Sequence, residues 1–486
     1  MIVMLMVLLP IITGLILPFL KLDKLKRNIY VVLVAVLTSV FAFGTIVSNI
    51  NVDIVIISLN QLLSIGFKND GLTKIFIMII ATLWPLATIY ATEYMEHEGN
   101  QDSFFRYYLI AYGITIGIAF SRNLFSMYLF YELLTFLTLP LIMHRLDEKD
   151  SLYAGKVYLT VSILGATIAL MGIIIFAVNV GALEFNYGGL INSSLILNDN
   201  ALYVSYIMMF IGFGVKAAII PFTYWLPTCG VAPTPVSALL HAVAVVKAGV
   251  FAIMRATYYS YGTEFLKGSY AQNIVLIITL ITILYGSTMA VKEMNIKRRL
   301  AYSTASNLSY ILFAVALMTQ QSFAAGLIHM MFHAIIKINL FFAAGSMMIY
   351  ANAKSVKDTQ ALAKKMPITM VSFLISSLAL IGIPLTCGFI SKYSLILSFV
   401  EEGTLMGYMG VIAIIISAIL TLIYLFSIII PAYFPSTDVD TTAISNAKEA
   451  GLNIKFVLII ITILIIYFGC NSQWLINIIE NVSKGI

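Results

Sequence analysis

Residues His329–Phe342 read HMMFHAIIKINLFF, and this stretch decides what kind of protein the chain is. His329, His333 and Lys337 are spaced four apart, so on a helix they stack along one face. They form a polar stripe about 12 Å long at roughly 1.5 Å of rise per residue. The rest of the stretch is apolar apart from Asn339, and apolar residues continue on both sides from Phe323 to Tyr350. A run of about 20 such residues is long enough to cross a bilayer as a helix. A lysine and two histidines therefore lie inside a membrane span.

Working outward, the whole chain has the same character. Of 486 residues, 61% are apolar and 10% are charged, against roughly 45 to 50% and about 25% in soluble domains. Apolar runs separated by charged or Gly/Pro-rich breaks start near residues 2, 29, 72, 105, 124, 156, 201, 231, 272, 298, 323, 368, 405 and 454. This pattern predicts an all-α polytopic membrane protein of about 14 transmembrane helices, with residues 1–486 forming a single membrane domain. The first run, Ile2 to Leu20, has no basic segment before it and no small-residue cleavage site, so it reads as a retained helix rather than a signal peptide. Cys229, Cys387 and Cys470 lie far apart, which indicates no disulfide framework and no iron–sulfur or zinc site. The net charge of +6 is spread over many short loops without a nucleic-acid-binding patch.

The basic residues also orient the chain. With the N-terminus outside, outward segments hold only Lys68, Lys74, Arg122, Arg255, Lys267 and Lys484, while eighteen lysines and arginines fall in inward loops. The positive-inside rule then predicts a multi-pass protein of the cell (inner) membrane with both termini extracytoplasmic. The remaining four of the 28 basic residues, Lys216, Lys247, Lys337 and Lys392, fall inside apolar spans.

Two spans are interrupted by proline. The seventh is broken from Ile220-Pro221 to Pro227, and the twelfth from Gly382-Ile383-Pro384 to Gly388. Proline in a helix interior removes a hydrogen bond and clashes with the preceding turn, and freed backbone at membrane depth is tolerated where it is buried or lines a watery cavity. Broken helices 7 and 12, five spans apart, predict two inverted five-helix repeats, 101–260 and 261–431.

A charge at the bilayer centre costs on the order of 2.5 to 3.5 kcal/mol on insertion scales, so each intramembrane ionisable group is a functional candidate. Glu132 lies midway along the fifth span in LFYELLTFL, Lys216 just before the first break, Lys247 mid-span with His241 nearly two turns earlier, and Lys392 after the second break. Histidine titrates near pH 6.5, and burial lowers lysine pKa values generally, so groups of these types can exchange protons at physiological pH. Plainer roles compete. Lys392 could snorkel to the interface, and His241 could bond a carbonyl. His329 and His333 could ligate a metal, although no carboxylate or cysteine lies near them in the sequence. No metal or cofactor is assigned.

Five stretches in order resemble the antiporter-like subunits shared by respiratory complex I, membrane-bound hydrogenases and Mrp-type cation/proton antiporters. They are FGVKAAIIPFTYWLP (213–227), APTPVSALLHAVAVVKAGVF (232–251), IKRRLAYSTASNLSYILF (296–313), HMMFHAIIKINLFF (329–342) and IPLTCGFISKYSL (383–395). The resemblance implies fourteen helices, inverted five-helix repeats and broken helices seven and twelve. It also implies that Glu132 and Lys216 form a modulating ion pair and that Lys247 is the central relay. His329, His333 and Lys337 would connect two half-channels, and Lys392 would be the terminal proton site. The chain stops soon after Trp474, with no long lateral helix, which argues against the complex I subunit that carries such an arm and against the large Mrp A-type subunit. Lys392 in place of a glutamate disfavours one further complex I subunit, and WLPTCGVAPTPVSALLH points to the Mrp D-type and hydrogenase-associated members.

The resulting expectation is a proton-translocating subunit of a multisubunit ion-pumping complex, with other membrane subunits of a complex I-like, hydrogenase or Mrp-type assembly as partners and no covalent chemistry of its own. The alternative in the same class is the D-type member of an Mrp Na+/H+ antiporter, which would exchange sodium ions for protons. A rival from another class is an enzyme subunit binding quinone or a redox cofactor, against which stands the lack of cysteine and haem motifs. A solute permease is disfavoured because no arginine cluster lies in the membrane.

Overall fold

The computed structural model describes residues 2–48, 52–60, 62–191, 198–435 and 447–485. Helices α1 (Ile2–Ile16), α2 (Lys24–Val47), α3 (Gly71–Tyr94), α4 (Gln101–Phe120), α5 (Leu124–Ile142), α6 (Lys149–Val180) and α7 (Asp199–Lys216) come first. Shorter pieces follow: α8 (Trp225–Thr228), α9 (Thr234–Ala242), α10 (Val245–Arg255) and α11 (Thr263–Leu266). Next are α12 (Tyr270–Lys292), α13 (Ile296–Ala316), α14 (Gln320–Ala351), α15 (Leu362–Lys365), α16 (Pro367–Ile381), α17 (Cys387–Glu401), α18 (Leu405–Tyr433), α19 (Leu452–Cys470) and α20 (Gln473–Ser483). One element departs from an all-helical reading. The β-branched run at 53–58 pairs antiparallel with Ser64–Lys68 as strands β1 (Asp53–Ser58) and β2 (Ser64–Lys68). Such a run is too short to be told from a piece of helix by periodicity alone.

Helix starts follow from local chemistry. Side chains of Asp23, Asp70, Asn123, Asn198, Ser269, Asn295, Thr319 and Thr404 each accept a hydrogen bond from a backbone N–H of the first turn. Each of these bonds satisfies a donor that the helix itself leaves free.

Among the described residues, eleven helices are long and apolar enough to cross a membrane. The other three spans of the sequence reading fall below that measure for visible reasons. Helix α7 includes Asp199, Asn200 and Lys216, α13 carries Ser303, Thr304, Ser306, Asn307 and Ser309, and the twelfth span is divided into α16 and α17, each of 15 residues.

Helix α14, buried along its span, is the centre of the bundle. It packs against α3, α9, α13, α16, α17, α19 and α20. Lipid is as apolar as leucine, so helices associate here through close packing and interhelical hydrogen bonds, each bond contributing on the order of 0.6 to 2 kcal/mol. At the junction of α12, α13 and α18 the hydroxyls of Ser287, Ser306, Ser417 and Tyr310 bond one another.

Both expected breaks are present. Helix α7 stops at Lys216, and Ala218 takes a left-handed conformation with φ of 58°. The freed backbone finds new partners: the indole of Trp225 donates to the Val215 carbonyl at 2.7 Å, and Ile220 N–H donates to the Thr282 hydroxyl at 3.1 Å. Helix α16 stops at Ile381, Gly382 has φ of 98°, and α17 begins at Cys387. Gly388 is needed where α17 starts, because a β-carbon there would stand 1.7 Å from the Ala379 carbonyl oxygen. A third break was not expected. Val243 and Ala244 leave the helical conformation between α9 and α10, and the Leu239 carbonyl accepts from both of their N–H groups.

Candidate functional site

The lysines of the sequence reading sit at these breaks or on α14. Lys216, 1% exposed, is the last residue of α7, and its ammonium stands 3.9 Å from Oε1 of Glu132 on α5. The same ammonium donates to the Tyr131 carbonyl and lies over the Tyr131 ring at 3.3 Å from its centre. Position at a helix C-terminus, where the backbone dipole is negative, favours the cation, as do the carboxylate and the ring face. Glu132 Oε1 is buried and makes no hydrogen bond to another described residue. At 3.9 Å, beyond hydrogen-bond range, the pair is a loose ion pair.

Lys247 follows the third break in the first turn of α10 and is fully buried. Its Nζ lies 3.0 Å from Nδ1 of His333 on α14. One turn earlier on α14, the ring of His329 lies 5.8 Å from that of His333, and its Nδ1 is 3.0 Å from the hydroxyl of Ser391 on α17. Lys392 is the next residue on α17. It donates to the Ile381 carbonyl at the end of α16 at 3.1 Å and sits 5.7 Å from the centre of the Tyr310 ring. Buried nitrogens and hydroxyls therefore succeed one another from α10 across α14 to the second break, with a gap between the two histidine rings.

Lys337, at the other end of the α14 stripe, turns to α13. Its ammonium donates to the Leu300 carbonyl at 3.0 Å and to the Ser303 hydroxyl at 2.7 Å. Ser303 in turn bonds the Tyr424 hydroxyl of α18. His241, near the end of α9, is stacked on Phe341 with ring centres 4.6 Å apart. Neither of its ring nitrogens has a hydrogen-bond partner among the described residues. The carbonyl bond considered for it from sequence is absent there, and it is not bonded to Lys247.

Sequence reasoning missed two sets of residues. The hydroxyls of α13 were visible as the polar run YSTASNLSY inside an apolar span, a signal that reads as a polar face once the helix period is applied. Arg255 was counted among outward loop charges, but it is fully buried at the end of α10. It pairs with both carboxylate oxygens of Asp70 at 2.5 and 2.9 Å, donates to Thr73 at 2.7 Å and lies among the rings of Phe185, Phe251 and Tyr259. Nothing in either local sequence links residues 185 positions apart.

Cavities lie at both ends of α14. One, of about 460 Å³, is lined by Glu98, Arg145, Asn295, Lys297, Asn352 and Lys354 among others. At its wall Arg145 donates to Glu98 at 2.9 Å, and this bond raises the arginine above its ordinary value. The other, of about 410 Å³, is lined by Gln320, Ile328, Ser394, Ser398, Glu401 and Glu480 among others.

Comparison with known proteins points the same way. Residues 121–421 match the family described as "NADH:quinone oxidoreductase/Mrp antiporter, TM", and residues 57–105 match "NADH-Ubiquinone oxidoreductase (complex I), chain 5 N-terminus". The chain is 33% identical over 348 residues to the chloroplast NAD(P)H-quinone oxidoreductase subunit 5 of Nuphar advena, covering 69% of this chain and 46% of that protein. It is 28% identical over 508 residues to Na(+)/H(+) antiporter subunit A1 of Staphylococcus aureus, covering 99% of this chain and 62% of that one. The chain thus spans about half to three fifths of the length of these relatives. One of them is named as an A-type subunit, a kind that the sequence reading set aside. Among solved structures, an archaeal membrane-bound sulfane sulfur reductase has a chain that superposes with a TM-score of 0.87 at 22% identity, over 100% of this chain and 97% of that one. A chain of the Mrp complex from Dietzia sp. DQ12-45-1b gives 0.83 at 20% identity, over 99% and 96%. These two likenesses show the fold.

Proposed function

The chain belongs to the NADH:quinone oxidoreductase/Mrp antiporter transmembrane family, and on that premise we propose that it is a proton-translocating subunit of a multisubunit ion-pumping membrane complex. It sits in a cell membrane with both termini extracytoplasmic, and spans 4 to 8 (101–260) and 9 to 13 (261–431) form two inverted repeats of a fourteen-span bundle. Protons are passed among Glu132, Lys216, Lys247, His333, His329 and Lys392, with Lys337 and His241 on a side branch. The observation that carries this reading is the contact of 3.0 Å between Lys247 Nζ and His333 Nδ1 at full burial. A lysine fixed as a cation would only donate a hydrogen bond to the imidazole at that distance and would pass no proton on. A neutral lysine accepts a proton from His333 and a charged one donates it, so the bond transmits a proton without moving the backbone.

Glu132 supplies the control. When its carboxylate pairs with Lys216, the charged lysine is favoured; when the carboxylate is neutralised or turned away, burial favours the neutral one. A second reading rests on the Staphylococcus aureus relative named as a Na(+)/H(+) antiporter subunit. In it the same row of groups carries the proton half of an exchange for sodium.

The test is proton flux in vesicles holding the assembled complex. Lys247→Ala should lower the initial rate about a hundredfold or more, the loss expected when a proton-transfer group is removed. Flux at the parental rate with matched protein levels would refute the reading. Dependence of that flux on sodium separates exchange from proton transport alone.

A further inference from the structure

Lys337 is fully buried on α14, and the charged groups and histidines around it are all basic. They are His333 one turn earlier on α14, His241 of α9, Lys247 of α10, Arg299 beside Leu300 on α13, and Lys392 of α17. Among the described residues no carboxylate lies within ion-pair distance of its ammonium. Two uncharged acceptors hold it instead, the Leu300 carbonyl at 3.0 Å and the Ser303 hydroxyl at 2.7 Å. Behind Ser303 the bonds continue. Its hydroxyl bonds the Tyr424 phenol of α18, the phenol donates to the Thr421 hydroxyl at 3.3 Å, and Thr421 donates to the Ser417 carbonyl at 2.7 Å. Ser303, Thr421 and Tyr424 are all buried, and the Arg299 guanidinium donates to the Tyr424 carbonyl at 2.7 Å, tying α18 to α13 at this level. The order is built into two helix faces. Ser303, Ser306 and Tyr310 share one face of α13, Ser417, Thr421 and Tyr424 share one face of α18, and the two faces meet at Ser303 with Tyr424 and at Ser306 with Ser417.

A hydroxyl has one proton to donate, and this fixes the direction of the chain. Thr421 donates to a carbonyl and Tyr424 donates to Thr421, so the bond between Tyr424 and Ser303 is donated by Ser303. Ser303 then presents only lone pairs to Lys337. Every donor points away from the lysine, and the last acceptor, a backbone carbonyl, has no proton with which to reverse the order. Such a chain favours a donor at Lys337, and a bond from an ammonium is roughly twice as strong as one between neutral groups. Bonds in series also polarise one another in the same sense.

We propose that Ser303, Tyr424 and Thr421 are positioning residues that take the place of a counter-ion for Lys337, so that α18 sets how firmly the side branch of the row keeps its proton. The proposal rests on the functional reading above. The hydroxyls keep their own protons, and none is passed along the chain.

The test follows proton flux against pH in vesicles holding the assembled complex. Losing a bond that favours the charged form lets the lysine give up its proton at lower pH. The pH of half-maximal flux on the alkaline side should therefore fall, by about one unit in Ser303→Ala and about half a unit in Tyr424→Phe. Thr421→Val, one bond further away, should move it least. Tyr424→Phe keeps the ring and removes only the hydroxyl, so it decides the matter if Ser303→Ala does not assemble. A role in packing alone would lower flux alike at every pH. A midpoint in Tyr424→Phe that stays in place, or moves to higher pH, would overturn the proposal. Lys247→Ala is run in parallel. Loss of flux there together with unmoved midpoints defeats only this inference, whereas full flux in Lys247→Ala defeats the functional reading itself.

Discussion

Lys216 and Lys392 stand at the two broken spans in surroundings that differ in one decisive respect. Lys216 closes α7 with a carboxylate 3.9 Å from its ammonium and an aromatic face beneath it. Lys392, in α17, reaches back to the last carbonyl of α16, and among the described residues no carboxylate lies within ion-pair distance of it. One break therefore holds a lysine by a side chain that can itself change charge, and the other by a backbone dipole that cannot. The first is suited to being switched. The second is suited to passing on whatever reaches it through Ser391 and His329.

The sharpest way to break this contrast is to remove the counter-charge. Glu132→Ala and Lys216→Ala each strand a buried partner, a change that costs roughly 3 to 5 kcal/mol when the pair is fully buried. Glu132 retains 18% exposure, which places the expected cost at the lower end. Vesicle transport should fall in both, and the double variant should be impaired about as much as the worse single one, because residues in contact act as a unit. Strictly additive losses at matched protein levels would show that the pair is not a switch.

A smaller effect is expected at the second break. Lys392→Met keeps the length of the side chain but leaves the Ile381 carbonyl without its ammonium, a loss of about 1 to 3 kcal/mol. Thermal unfolding of the purified complex, followed by the loss of monodisperse protein on heating, should therefore show a smaller shift than Lys216→Ala. Equal shifts would mean that the two lysines are held alike. Transport should suffer in both variants, separating function from stability.

The smallest expected effects are in the backbone. Ala218 has φ of 58° and Gly382 has φ of 98°. A left-handed conformation costs an L-residue roughly 1 to 2 kcal/mol. Ala218→Gly should be neutral or slightly stabilising, whereas Gly382→Ala should destabilise by about 1 to 2 kcal/mol, the more so because Lys392 Cδ would stand 3.1 Å from the new methyl. The same heating measurement reads both, and a stabilising Gly382→Ala would overturn the account of that turn.

Much of this was legible in the sequence. Apolar runs of span length gave the membrane class, and proline gave two of the breaks. Spacing of four put His329, His333 and Lys337 on one face, which the structure places in the buried centre of the bundle. These features are local: hydropathy, a missing N–H and the helix period all act within a few residues. The break at Val243 and Ala244 carries neither proline nor glycine, and it lies where the chain passes from α9, packed on α14, to α10, packed on α7. The partner of Lys247 is 86 positions away, and that of Arg255 is 185. Apart from Arg255, the sequence alone thus determined which charges enter the membrane and which helix faces carry them. Only the packing of helices against one another decided which charges meet, because a buried ion finds its partner through tertiary distance, and tertiary distance is set by every helix in between.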